Sequence, residues 1–135
     1  VENYEHCFNK FKENPEVTLH YGDSSKILLT ILNDINHQCT FWLDAHGVEG
    51  YDRFGYGEKF CPLQEELDAI KEHSIKNHII LMDDVRIIKG AAWGTGGCTE
   101  DLLKEKISSI NSNYEFSYLH GHCKKDVLAA VVPNS

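Results

Sequence analysis

Basic residues are scarce in this chain: Lys and Arg total 13 against 21 Asp and Glu, a net charge of −8. A general nucleic-acid or membrane-surface binder needs a basic face, so neither partner class is expected. A small-molecule site stays open. No apolar run approaches the roughly 20 residues of a membrane-spanning helix. The opening residues do not read as a signal peptide. Closely spaced cysteines are also lacking. Cys7, Cys39, Cys61, Cys98 and Cys123 are odd in number and far apart, and no pair has zinc-site spacing. Reduced thiols in the cytoplasm are the expectation. The glycine-rich run from Gly90 to Gly97 lacks the Lys-Ser/Thr ending of a phosphate loop. Internal repeats and low-complexity segments are absent, and 135 residues suffice for one domain with a core, spanning 1–135.

What is present is an alternation of apolar patterns. Tyr4, Cys7, Phe8 and Phe11 recur at helical spacing over 3–13, and Asn14-Pro15 ends that segment. Val17 to Tyr21 reads as a short strand. Gly22-Asp23-Ser24-Ser25 turns and caps a helix carrying Ile27, Leu28, Ile31, Leu32 and Ile35. A strand over 40–44 follows. Residues 45–60 interleave glycines with Tyr51, Phe54, Tyr56 and Phe60, the pattern of a lid or substrate wall. Cys61-Pro62 opens a helix with Leu63, Leu67 and Ile70 on one side. A strand over 78–83, a helix over 99–111 and strands over 114–119 and 126–132 complete the order. Such alternation predicts an α/β fold, a parallel sheet with helices on both faces. The last two strands share a short turn and should pair antiparallel.

Two apolar runs end in acid: Phe41-Trp42-Leu43 in Asp44, and Ile79 to Met82 in Asp83-Asp84. Ligands of open parallel sheets bind beyond the carboxyl ends of the strands. Glu2, Asp23 and Asp44 follow one another at an interval of one strand–helix unit, which predicts carboxylates along a single sheet edge. For Asp23 a plain helix-cap role is equally consistent. Crowded carboxylates repel unless a cation or ligand hydroxyls hold them. Asp44, Asp83 and Asp84 offer hard oxygen ligands suited to magnesium, manganese or calcium. His46, two residues after Asp44, points the same way if the chain stays extended. It is a candidate proton acceptor or metal ligand. His120, His122 and Cys123 form a weaker cluster, better read as a solvated turn.

The stretches Tyr21-Gly22-Asp23-Ser24-Ser25, Phe41-Trp42-Leu43-Asp44-Ala45-His46 and Leu81-Met82-Asp83-Asp84-Val85 together resemble the later part of class I S-adenosylmethionine-dependent methyltransferases. The cation-dependent O-methyltransferases are the nearest group. The resemblance implies a Rossmann-like sheet with a C-terminal antiparallel strand pair. It implies Mg2+ or Mn2+ on Asp44, Asp83 and Asp84, with His46 in the place of the catalytic base. It puts cofactor contacts at Glu2 for the ribose and at Gly22, Asp23 and Ser24 for the adenine, with Asp44 beside them. The family's first strand and glycine-rich turn would precede Val1. The resemblance thus implies an N-terminally truncated domain that binds S-adenosylmethionine weakly and is inactive alone.

The expected function is metal-assisted methyl transfer to a hydroxyl of a small molecule. A metal-dependent hydrolase would use the same acids and His46 to activate water. A non-catalytic α/β module would instead pack against a partner, or a second copy, through the sheet edge left by the missing strands.

Overall fold

Leu63, Leu67 and Ile70 recur every three to four residues, so their segment can bury one stripe only as a helix. The computed structural model describes residues 2–47, 58–90 and 98–134. In chain order the elements are α1 (Glu2–Phe11), α2 (Ser24–Leu32), β1 (Thr40–Leu43), α3 (Leu63–Glu72), β2 (Ile79–Met82), α4 (Val85–Gly90), α5 (Glu100–Ile110), β3 (Glu115–Leu119) and β4 (Val127–Val131). Caps set the helix starts. The Asp23 side chain accepts from the Ser25 N–H, and the Thr99 side chain accepts from the Leu102 N–H. None of the helices is long and apolar enough to cross a membrane among the described residues.

The chain is α/β, with a four-stranded mixed sheet in the order β1-β2-β4-β3. Among the described strands only β1 and β2 pair in parallel, with Trp42 opposite Leu81 and Leu43 opposite Met82, while β3 runs in the same direction on the far side of β4. The expected antiparallel pairing of the last two strands is present. β4 also pairs antiparallel with β2 and so lies between β2 and β3.

One buried cluster joins α2, α3 and α5 to one side of this sheet. It includes Leu32, Leu67, Ile70, Leu103 and Ile107 from the helices and Leu43, Ile80, Met82, Leu128 and Ala130 from the strands. The strand residues in it alternate along each strand and therefore face one way. On the opposite face Trp42 is 55% and Val131 38% exposed, while Val127 and Ala129 are buried. Helical cover was expected on both faces; among the described residues the helices of the core cluster lie on one. α1 buries no residue, and its Tyr4 meets Tyr21 edge-on at 5.3 Å.

The expected strand at 17–21 is not formed. These residues are irregular, and Val17 and Tyr21 are exposed. β-branched and aromatic residues favour a strand only where a neighbouring strand accepts the ladder. Among the described residues β1 stands at the sheet edge, bonded to β2 alone. α4 is a further departure, since no helical pattern is legible in Val85–Gly90.

Buried histidines close the amino edge of the parallel pair. The Cys39 N–H donates to His78 Nδ1 at 3.0 Å, which leaves Nε2 of His78 to donate to His73 Nδ1 at 2.8 Å. His73 Nε2 then donates to the Ile35 carbonyl at 2.9 Å. The relay satisfies four polar groups at the end of the sheet remote from the acids, and His78 is in this sense structural.

Candidate metal centre

The ends of β1 and β2 bring Asp44 and Asp84 to one edge because the two strands are parallel and in register. The backbone does not stay extended after Asp44. The His46 N–H donates to the Asp44 carbonyl at 3.1 Å, a tight turn. That turn carries the imidazole back over the sheet edge. His46 Nε2 lies 2.7 Å from Asp84 Oδ2 and 3.5 Å from Asp44 Oδ1. The same-side placement expected from strand alternation is reached by a turn instead.

The other ring nitrogen fixes the orientation. His46 Nδ1 lies 2.9 Å from the Gly47 carbonyl, which can only accept, so Nδ1 carries a proton. Nε2 is then aimed at two carboxylates. With both nitrogens facing acceptors, the charged imidazolium is favoured. Burial alone would lower the His46 pKa, but the Gly47 carbonyl and the Asp84 carboxylate outweigh it, and the net direction is upward. Asp84 shows the converse. Burial pushes its carboxyl up, but hydrogen bonds from Arg86 and His46 bring it below its ordinary value. Asp44 is raised, mainly by desolvation, with Asp83 and Asp84 adding repulsion.

Asp83 and Asp84 do not both join the cluster around His46. Asp84 has φ +60°, a left-handed conformation that Asp tolerates better than most residues. The chain therefore swings between them. The Asp83 carboxylate accepts the Asp84 N–H at 2.8 Å and lies against Gly121, where a Cβ would come within 3.1 Å of it. Ligand atoms of Asp44, His46 and Asp84 lie within 4.8 Å of one another, and so do those of Asp83, Asp84 and Asp126. The second group already holds a cation, because the Arg86 guanidinium bonds Asp84 Oδ1 at 2.6 Å and also Asp126. The expected ligand set Asp44, Asp83 and Asp84 is thus regrouped around Asp44, His46 and Asp84.

Arg86 and Asp126 carry no signal in an isolated reading of the sequence. Asp126 is 2% exposed, and its Oδ1 accepts the Arg86 N–H at 3.0 Å. Its carbonyl accepts the Val85 N–H at 2.9 Å. One clue was available. An antiparallel strand begins at the edge where parallel strands end, so an acid just before β4 belongs to the same edge as Asp44.

The residues expected at the cofactor are placed differently. Glu2 is in the first turn of α1 and exposed, not at a strand end. Asp23 follows no strand and serves as the α2 cap. Its Oδ1 accepts from the Ser25 N–H and hydroxyl at 2.9 and 2.7 Å, and its Oδ2 from the Glu58 N–H at 2.8 Å. The Ser25 hydroxyl bond leads in holding the Asp23 pKa low. Gly22 has φ +156°, and a Cβ there would come within 2.9 Å of the Ile27 side chain, so backbone conformation and packing together favour glycine. The Ser24 hydroxyl bonds Glu66. The aromatic residues at 51, 54 and 56 and most of the second glycine-rich run lie outside the described residues. His120 sits in an exposed turn, where its Nδ1 accepts the Lys125 N–H at 3.1 Å.

Glu66 is the other group that the sequence did not single out. It is 2% exposed, and its Oε2 has no hydrogen-bond partner among the described residues. Desolvation raises its pKa above the ordinary 4.5. A carboxyl raised in the folded state contributes most below its unfolded pKa, and that stability is lost as pH rises through the folded value. Glu66→Gln should therefore raise the melting temperature at pH 7, by about 1 kcal/mol of stability. The gain should vanish near about pH 4. A melting series against pH checks this; an equal effect at both ends would refute it.

The donor set fits a divalent cation. Two carboxylates and an imidazole converge, and the imidazole donates its second N–H to a backbone carbonyl, as metal-bound histidines do. The nitrogen ligand shifts the preference from magnesium toward manganese and other first-row ions. Protein-family models, curated proteins and solved structures yield no match to this chain.

Proposed function

We propose that this chain is part of a divalent-cation-assisted O-methyltransferase domain of Rossmann-like type, with Asp44, His46 and Asp84 holding the cation. The observation that carries the reading is the convergence of these three side chains at the carboxyl ends of two parallel strands. The antiparallel closing strands are in keeping with the fold that the resemblance implies. S-adenosylmethionine and the hydroxyl acceptor rest on the resemblance.

When bound, the cation would polarise a substrate hydroxyl and lower its pKa. The chain's own residues do the rest. Asp44 and Asp84 supply negative charge on either side of His46 Nε2, and the Gly47 carbonyl keeps Nδ1 protonated. That tautomer leaves the Nε2 lone pair for the cation or for a proton, so His46 serves as a ligand when the cation occupies Nε2 and as the base when it does not. Asp44, about half exposed, is the ligand best placed to face a substrate. The same set would also activate water, and the imidazole ligand favours that hydrolase reading more than an all-oxygen site would.

The test is a Mn2+ titration by calorimetry, with fluorescence of Trp42, whose indole donates to Asp44. Binding should quench Trp42 and tighten as pH rises from about 6 to 8, because the cation displaces the proton on Nε2. S-adenosylmethionine with catechol or sugar acceptors, against phosphoesters, then separates transfer from hydrolysis. No Mn2+ binding at millimolar concentration would remove both readings.

A further inference from the structure

We propose that Cys61 and Cys98 form a reversible redox pair, a modification site for small-molecule disulfides such as oxidised glutathione. The two cysteines are far apart in sequence, and each follows a glycine-rich run: Gly47 to Phe60 before Cys61, and Gly90 to Gly97 before Cys98. The fold brings their thiols into hydrogen-bond contact. Cys98 is 3% exposed and belongs to the buried cluster, and Cys61 is half-buried against that cluster. One thiol is thus reachable by a reagent, and the other waits behind it.

The surroundings divide the roles. Cys61 stands just before α3, where it accepts the Leu63 N–H, and helix N-termini favour the thiolate. The Cys98 thiol acts first in the same direction, against desolvation, and the Cys61 pKa lies below the ordinary thiol value. Its bond to Cys61, and then burial, push the Cys98 thiol up, which keeps it protonated. Cys39, by contrast, directs its thiol at the His37 carbonyl.

The reaction balances as two exchanges. The Cys61 thiolate attacks one sulfur of glutathione disulfide, forming a mixed disulfide and releasing a glutathione thiolate. Cys98 loses its proton and attacks the Cys61 sulfur, forming the Cys61–Cys98 bond and releasing a second glutathione thiolate. Both thiolates take up protons, so the protein loses two hydrogens and two electrons and one disulfide becomes two thiols. The new bond would join the segment before α3 to the segment before α5.

Incubation of the reduced chain with graded ratios of oxidised to reduced glutathione tests this, read by non-reducing peptide mass mapping. The expected product is a Cys61–Cys98 cross-linked peptide, lighter by two hydrogens and reversed by dithiothreitol. Cys98→Ser should trap glutathione on Cys61, while Cys61→Ser should leave Cys98 unmodified. Wild-type protein in which Cys61 carries glutathione without a cross-link would overturn the proposal. So would glutathione on Cys123 while Cys61 and Cys98 stay reduced. The wild-type map needs no variant to fold.

Discussion

Asp84→Asn will abolish the thermal stabilisation of this protein by Mn2+, and Asp83→Asn will leave most of it. The first change removes the carboxylate that lies 2.7 Å from His46 Nε2, at the centre of the acid–histidine cluster. Asparagine is close in shape and tolerates the left-handed backbone at φ +60°. The loss is therefore one of charge and ligation, with little added strain. Calorimetry should show at least about a hundredfold weaker binding, equivalent to about 2.7 kcal/mol. Asp83 is the control, because its carboxylate is turned toward its own backbone and Gly121. Equal losses in the two variants would show that the swing at Asp84 does not separate their roles. An unchanged Mn2+ response in Asp84→Asn would sink the site.

Asp126→Ala should destabilise the fold by about 2–4 kcal/mol. The side chain is almost fully buried and bonds both the backbone N–H and the guanidinium of Arg86. Removing it leaves that N–H without its acceptor and breaks the ion pair. The Arg86 side chain is 41% exposed and keeps Asp84 as a partner, so the ionic share is discounted for solvent. The lost N–H acceptor and the cavity carry the rest. Asp126→Asn retains an acceptor for the N–H and should be milder. Urea unfolding at pH 7 measures both. A change under about 1 kcal/mol in the alanine variant would mean that the turn after β2 holds itself without Asp126.

The elements legible in the sequence are those whose pattern is local. Thr40–Leu43 and Ile79–Met82 are short apolar runs stopped by acids, and both became strands ending at the expected carboxylates. The stripes of α2, α3 and α5 became the helical layer of the core. The capping of α2 by Asp23 also needed nothing beyond neighbouring residues. Val17 to Tyr21 had the same composition as a strand and failed, because a strand needs a partner and composition does not supply one.

The site shows the same division. Placement of Asp44 and Asp84 beyond strand ends could be read from the chain, and so could the candidacy of His46. Which acids meet could not. A single left-handed residue at 84 parts the Asp84 carboxylate from that of Asp83, and a tight turn rather than an extended chain brings His46 over Asp84. Asp126 enters the edge only because β4 runs against β2, so that its beginning lies where the parallel strands end. Local sequence determined which residues end a strand or start a helix, through periodicity and capping. Strand direction and backbone turns determined which of those ends share one edge, and these depend on pairing between distant segments.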